Sequence, residues 1–203
     1  MGFLDLIFPK KCLECGQNGK YICLNCIHRV TPCGYRNGNF AIFEYKGVIR
    51  KAIIALKYKF AYDLVDELVG CALRVLKSNK SIFLNLKSIV LVPIPLHKTR
   101  ENFRGFNQTK ILGEKIAKEM SWKYIPDLLV KPKETRHQVG LKGDERRKNL
   151  QNVFAVNTNH FISNHYPLVL FDDVYTTGTT INEAKKVLQS AGFKNIKSLT
   201  IAG

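Results

Sequence analysis

Continuously apolar runs and stretches of helical periodicity follow one another along most of the chain. Residues 89–95 and 168–171 are almost entirely apolar, which predicts strands buried on both faces of a parallel sheet. Residues 40–45 and 197–202 predict two further strands. Apolar positions at helical spacing predict helices over 48–58, over 64–76, and after residues 108 and 180. This order of elements predicts an open α/β fold with a mostly parallel sheet.

The strand at 168–171 leads directly into Asp172 and Asp173, and then into a turn before a predicted helix. Ligands of open α/β sheets bind at the carboxyl ends of the strands, where these two acids lie. The turn itself is rich in hydroxyls and consists of Thr176, Thr177, Gly178, Thr179 and Thr180. Helix N-termini favour anions, and glycine lets the backbone approach them closely.

The surrounding sequence narrows the kind of anion that this turn would hold. It contains neither GxxxxGK[ST] nor GxGxxG, so it is not a P-loop or a dinucleotide fingerprint. Two acids followed by an anion cradle predict a ribose 5-phosphate site, with the acids on the hydroxyls directly or through Mg²⁺. The alternative is an ordinary threonine-capped helix, but capping needs one hydroxyl and no paired acids.

Four of the six cysteines form two CxxC pairs, at Cys12, Cys15, Cys23 and Cys26. This spacing predicts a closed tetrahedral Zn²⁺ site that stabilises a small segment rather than performing catalysis. His28 and Cys33 lie close enough in sequence to compete as ligands. Turn-forming residues at 31–38 mark a boundary, so we expect a zinc module at 1–38 and a larger domain at 39–203. Cys71 falls among the apolar positions of a predicted helix and is expected in the core.

The stretch from Leu168 to Thr180 resembles the binding motif for 5-phosphoribosyl 1-diphosphate (PRPP) of the type I phosphoribosyltransferases. That motif is four apolar residues, two acids and a TTGxT-like loop, and all thirteen positions fit. The resemblance implies a mostly parallel sheet with helices on both faces, Mg²⁺ bound with PRPP, and a catalytic role for Asp172 and Asp173. An equivalent loop of that family holds pyrophosphate, which implies the same role for Lys98 and Arg100.

The order of several further segments is similar to the ComF family of competence proteins. These segments are the four-cysteine module, the YxGxIRxxIxxLKY pattern at 45–58, VPIP at 92–95, RGFNQ at 104–108 and the PRPP loop. The resemblance implies a role in natural transformation, with other DNA-uptake proteins as possible partners. Family members commonly carry a further cysteine pair, whereas this chain keeps only Cys33, so the ligand set stays open.

The chain carries a net charge of +16, from 32 basic and 16 acidic residues, which indicates an anionic partner. PRPP and pyrophosphate account for part of this excess. Because basic residues are spread from Lys46 to Lys197, we expect a polyanion, single-stranded DNA, as a second partner. A solvated basic surface with no partner is the alternative.

The most charged stretch is 136–149, which predicts a loop followed by a short helix, acting as a lid or as a nucleic-acid contact. The residues expected to contact nucleic acid are Arg104, Arg146, Arg147 and Lys148. Two aromatic pairs near basic residues are candidates for stacking on bases, although either pair would also suit a core: Phe103 with Phe106, and Tyr58 with Phe60.

Two functions from different classes fit these observations. One is a PRPP-binding protein that handles single-stranded DNA during uptake. The other is an active phosphoribosyltransferase of nucleotide or related metabolism, whose acceptor the sequence does not identify. Residues 1–9 lack a basic leader, and no run approaches about 18 apolar residues, so we expect no export or membrane insertion. Paired cysteines without an export signal favour a reducing, cytoplasmic location.

Overall fold

The computed structural model describes residues 9–58, 63–79, 88–132, 153–160, 163 and 165–203. Strands in the order β1-β2-β8-β7-β3-β4 form a six-stranded sheet, and a separate two-stranded sheet pairs β5 with β6. The strands are β1 (Pro32–Arg36), β2 (Asn39–Phe43), β3 (Val90–Pro93), β4 (Lys123–Tyr124), β5 (Leu129–Val130), β6 (Ala155–Val156), β7 (Leu168–Val174) and β8 (Ile196–Ala202). The helices are α1 (Leu24–Ile27), α2 (Gly47–Tyr58), α3 (Leu64–Ser78), α4 (Lys98–Arg104), α5 (Gln108–Glu119) and α6 (Thr179–Ser190).

The large sheet is parallel except at one edge, where β1 pairs antiparallel with β2. β7 lies near the centre, between β8 and β3, in register from Leu168 opposite Ile196 to Val174 opposite Ala202. Its first four residues are fully buried because apolar layers cover both faces. The other strands and helices predicted within the described residues are confirmed, with ends that differ by one or two residues in most of them, whereas the short helix predicted after the charged loop falls largely outside those residues.

Helices cover both faces of the sheet, as predicted. Val169 and Phe171 face a core that α2, α3 and α5 share. Leu168 and Leu170 point the other way, into a core formed with α6 and the small β5–β6 sheet. This alternation follows from the two-residue period of a strand. The fold is therefore the mostly parallel, phosphoribosyltransferase-like α/β architecture that the sequence predicted.

The segment at 31–38 differs from the expected turn-rich boundary. Residues 32–36 form the edge strand β1, and a two-residue turn at Asn37 and Gly38 joins it to β2. Both turn residues have positive φ, 48° and 76°, which matches the right-handed twist of a hairpin. The strand therefore belongs to the large sheet, and the division of the chain at residue 38 stays a prediction.

Candidate functional site

A cleft of about 230 Å³ opens at the carboxyl ends of β3 and β7. It brings together most of the residues predicted to bind PRPP: Asp172, Asp173, Thr176, Thr177, Gly178, Thr179, Thr180 and Arg100. Arg104 also lines this cleft, together with Lys57, Gln108 and Lys131. Lys98 instead lines a neighbouring cavity of about 490 Å³, beside Lys110 and Val130. The two cavities share Pro95, Leu96 and Lys131.

The threonine loop ends at Gly178, and helix α6 begins at Thr179. Gly178 has a φ of 73°, and a Cβ at this position would collide with the ring of buried Tyr175. The position therefore requires glycine for two independent reasons. Thr177 and Thr179 join their hydroxyls at 2.8 Å on the exposed side of the loop. The first turn of a helix leaves N–H groups without intrahelical partners, so this arrangement can accept an anion.

The two acids occupy different environments. Asp173 is only 5% exposed, and the amine of Lys57 lies 2.9 Å from both of its carboxylate oxygens. Gln108 Nε2 also donates to Asp173 Oδ2 at 2.9 Å. Asp172 is half-buried, and its Oδ1 accepts a hydrogen bond of 2.8 Å from the Asp173 amide. Asp173 is therefore bound within the protein, whereas Asp172 is the acid that faces the cleft more openly.

Burial and the adjacent carboxylates set the protonation of this pair. Burial first, and then the charge of Asp173, raise the pKa of Asp172 to about 7, against the opposing charge of Lys57. Burial alone would lower the pKa of Lys57, but Asp173 and Asp172 outweigh it and raise that pKa. Lys57 is therefore a permanent cation at neutral pH, and Asp172 is the group that changes charge there.

Further cations complete the cleft. The amine of Lys131 lies 5.5 Å from the centroid of the Phe154 ring. Burial, and then the charge of Arg100, lower the pKa of Lys131 to about 8, and Asp172 partly opposes them. Arg104 Nη1 donates to Gln108 Oε1 at 3.1 Å. Arg100 and Lys131 repel each other in a partly buried cleft. An anion bound between them would relieve this repulsion, so the cleft favours anion binding.

Sequence reasoning did not assign roles to Lys57, Gln108 or Lys131. Lys57 lies in the last turn of helix α2, and Gln108 is the first residue of helix α5. Both residues lie in segments that support the family resemblance. Their meeting at Asp173 joins positions 116 and 65 residues apart, which no local pattern specifies. Lys131 follows β5 in a short segment that has no recognisable motif, so the sequence carries no signal for its role.

The four predicted cysteines form a compact cluster, with all of their sulfur atoms within 4.8 Å of one another. The Sγ atoms of Cys15 and Cys23 are 3.6 Å apart. Tetrahedral Zn²⁺ with Zn–S bonds of about 2.3 Å places its sulfurs about 3.8 Å apart, so the cluster fits this ion. Burial raises the pKa of Cys12, but hydrogen bonds from the backbone of Cys15 and Cys23 outweigh it and lower that pKa to about 6. Cys12 can therefore supply one of the thiolates that a metal requires, whereas burial, and then the thiol of Cys23, raise the pKa of Cys26 to about 12.

Neither competing ligand joins this cluster. Cys33 Sγ lies 3.8 Å from the carbonyl oxygen of Gly203, and His28 is exposed. Cys12, Cys23 and Cys26 are buried against helices α2 and α3, in the same core as Cys71. The core position predicted for Cys71 is thus confirmed. The cysteine module packs on the larger unit and shares its apolar core.

Several predicted contacts lie outside the described residues. Arg146, Arg147 and Lys148 belong to this group, as does the whole charged stretch at 136–149. Of the aromatic candidates, Phe106 is buried, and Phe60 lies outside the described residues. Tyr58 and Phe103 are exposed. Within the part of the chain that is described, no helix is both long enough and apolar enough to span a bilayer.

Fold and site together define a phosphoribosyltransferase-like α/β protein with a four-cysteine module. The chain is 28% identical over 203 residues to Competence protein ComFC of Streptococcus pneumoniae, covering 94% of this chain and 86% of that protein. It is 24% identical over 198 residues to DNA utilization protein YhgH of Escherichia coli O157:H7, covering 92% and 86%. These relatives confirm the ComF family assignment, at modest identity over most of the chain.

A third relative matches a shorter part of the chain. Competence protein F of Haemophilus influenzae is 36% identical over 109 residues, which cover 53% of this chain. The match spans about half of that relative, 47% of its length. No family model matches the sequence.

Proposed function

We propose that the cleft binds PRPP together with Mg²⁺. One observation carries this proposal: the threonine loop at the start of α6 shares a cleft with Asp172 and with the cations Arg100 and Lys131. The loop amides and hydroxyls would hold the 5-phosphate, and Asp172 would contact the ribose. Arg100 and Lys131 would hold the pyrophosphate, a role that the sequence had assigned to Lys98 and Arg100.

The donor atoms of the cleft fit Mg²⁺. This ion prefers oxygen ligands and is usually bound by one or two carboxylates, substrate phosphates and water. Asp172 offers a carboxylate to the cleft, while both oxygens of Asp173 are within 2.9 Å of Lys57. We therefore infer that Asp172 contacts the metal or the ribose hydroxyls, and that Asp173 positions the loop. When bound, Mg²⁺ would neutralise phosphate charge.

Calorimetry of PRPP binding with and without Mg²⁺ tests this assignment. A charge-assisted hydrogen bond is worth about 1.5 to 3 kcal/mol, so Asp172→Ala should weaken binding by about 10- to 150-fold. Asp66→Ala is a matched control, because Asp66 is an exposed acid of α3 paired with Lys115. An Asp172→Ala protein with wild-type affinity would show that the acid is structural.

We further propose that the protein acts in DNA uptake in the cytoplasm, binds single-stranded DNA directly and works with other DNA-uptake proteins. The names of its relatives, competence and DNA utilization proteins, support the role in uptake. The net charge of +16 supports a polyanionic partner. Affinity should fall with salt by a log-log slope of roughly −0.7 per phosphate neutralised.

The stretch at 136–149 has its own test for DNA binding. Replacing Arg146, Arg147 and Lys148 with alanine should lower the salt slope and leave PRPP affinity nearly unchanged. A triple variant that keeps DNA binding but loses PRPP would show that this stretch is a substrate lid.

A second candidate is an active phosphoribosyltransferase of nucleotide or related metabolism with no direct nucleic-acid role. Arg100 and Lys131 favour it, because cations beside the cleft would stabilise a departing pyrophosphate. Phe154 adds an apolar wall on which the acceptor could lie. Positioning and electrostatics would carry most of the catalysis. Pyrophosphate release from PRPP across a panel of nitrogen acceptors, with and without single-stranded DNA, separates the two functions.

We propose that the cysteine cluster holds one structural Zn²⁺. Four sulfur ligands complete a tetrahedral site and leave no open position for a substrate. Because the cysteines share a core with α2 and α3, the metal would also stabilise α2, the helix that carries Lys57.

A further inference from the structure

Few large apolar side chains are exposed among the described residues, and two of them neighbour Arg104: Phe103 along the chain and Tyr58 in space. Phe103 is 77% exposed, the highest value among these side chains, and Tyr58 is 52% exposed. The guanidinium of Arg104 lies 5.6 Å from the centroid of the Tyr58 ring. Phe103 precedes Arg104 on helix α4, and Arg104 lines the cleft. Tyr58 and Arg104 therefore lie together beside the candidate PRPP site, and helix α4 carries the exposed Phe103 next to Arg104 in the chain.

Helix α4 gives Phe103 no role in the core. None of the seven residues of this helix is buried, and the helix ends at Gly105, which has a φ of 71°. Leaving a phenylalanine exposed forgoes the stabilisation that burial normally provides. The exposed ring is available to a ligand, and aromatic side chains beside cations are the groups on which the bases of single strands stack.

Two contacts hold the guanidinium of Arg104 in place. One side lies over Tyr58, and Nη1 donates to Gln108, which in turn donates to buried Asp173. Because these contacts hold the guanidinium in place, a ligand would meet a prearranged group, and less conformational entropy would be lost on binding. Arginine planes and aromatic rings both stack on bases.

The charge around this surface indicates which ligand it takes. Helix α4 carries Lys98, Arg100 and Arg104 against one acid, Glu101, in a chain of net charge +16. A single-stranded nucleic acid fits both the cations and the exposed aromatic side chains. Its phosphates would contact the cations while its bases stack on the aromatic rings. In a duplex the base faces are already stacked and are not available.

We propose that Phe103, Arg104 and Tyr58 form a base-stacking surface for single-stranded nucleic acid at the mouth of the cleft. The proposal rests on the nucleic-acid part of the proposed function and specifies where a base is bound. Stacking surfaces of this kind bind without reading sequence, since every base has an aromatic face.

Fluorescence anisotropy with a labelled oligothymidylate tests the surface. Loss of one stacked base should weaken binding by about 5- to 150-fold in Phe103→Ala, without changing the salt slope, because no phosphate contact is lost. Phe103→Trp should keep the affinity, and Phe103→Leu should not. Tyr166→Ala is the matched control, since Tyr166 is 41% exposed and should not affect binding.

An oligonucleotide of abasic sites provides a second probe. It should bind the wild-type protein more weakly than oligothymidylate does, and Phe103→Ala should cause no further loss. PRPP affinity, measured in parallel, should be the same in wild type and Phe103→Ala. Equal binding of oligothymidylate by wild type and Phe103→Ala overturns the stacking surface alone. A wild-type protein that binds no oligonucleotide at low salt overturns the nucleic-acid function as well.

Discussion

Replacing Lys57 with methionine should destabilise the protein strongly, although the change keeps most of the side-chain volume. The amine of Lys57 lies 2.9 Å from both carboxylate oxygens of Asp173, and the two side chains are 21% and 7% exposed. Without it, the hydrogen bond from Gln108 is the one that the described residues still give the Asp173 carboxylate, beside the field of nearby charges. Breaking a buried ion pair by removing one partner costs about 3 to 5 kcal/mol, because a charge is left buried without compensation.

This cost is measurable by denaturant unfolding at constant pH. The midpoint should fall, and the melting temperature should drop by about 6 to 20 °C, given about 2 to 4 °C per kcal/mol for a chain of this size. Lys51→Met is the matched control on the same helix, since Lys51 pairs with Glu14 at 3.1 Å and both side chains are more than a third exposed. Exposed pairs are worth about 0 to 1 kcal/mol, so the control should unfold close to wild type.

A double variant shows whether the buried charge is the cause. Lys57→Met combined with Asp173→Asn removes both charges and should recover much of the lost stability. If Lys57→Met unfolds like Lys51→Met, or if the double variant is as unstable as the two single losses summed, then the pair is not the buried interaction described here.

Three further predictions concern the metal, the loop and the acid pair. Purified protein should contain one Zn²⁺ per chain, and Cys23→Ser should lose it and melt earlier; full stability without any metal would contradict this. Gly178→Ala should weaken PRPP binding and leave the fold intact, because a Cβ would strike Tyr175 and the φ of 73° disfavours alanine; calorimetry and circular dichroism check both. Since the pKa of Asp172 is raised to about 7, the folded chain takes up its proton at higher pH than the unfolded chain does. Stability should therefore increase as pH falls from about 7 towards 4, while Mg²⁺-dependent PRPP affinity decreases, and Asp172→Asn should abolish both trends.

The sequence by itself determined the longer strands and helices, the threonine loop and the cysteine cluster. Each of these depends on residues close together in the chain. A buried parallel strand shows as an unbroken apolar run, as at 168–171, and a helix shows as a repeat of 3.6 residues. The CxxC pairs place two sulfurs on one side of a turn, so their convergence could be predicted from spacing.

The tertiary structure decided which side chains meet in the cleft. Lys57 and Gln108 reach Asp173 from helices that pack on the same face of the sheet, across 116 and 65 residues of chain. Lys98 and Arg100 are two residues apart on α4, and that spacing turns them to different sides of the helix. As a result Arg100 lines the cleft, and Lys98 lines the neighbouring cavity.

Strand β1, at the edge of the sheet, is a second feature that the local sequence did not predict. Residues 32–36 have the composition of a turn, yet they form a strand because β2 offers an unpaired edge and the turn at Asn37 and Gly38 has the twist of a hairpin. Pairing partners and helix orientation are properties of the assembled fold, since they depend on contacts between distant segments. Local sequence patterns fix what most of the segments become, and the packing of those segments fixes which edges pair and which charges are buried together.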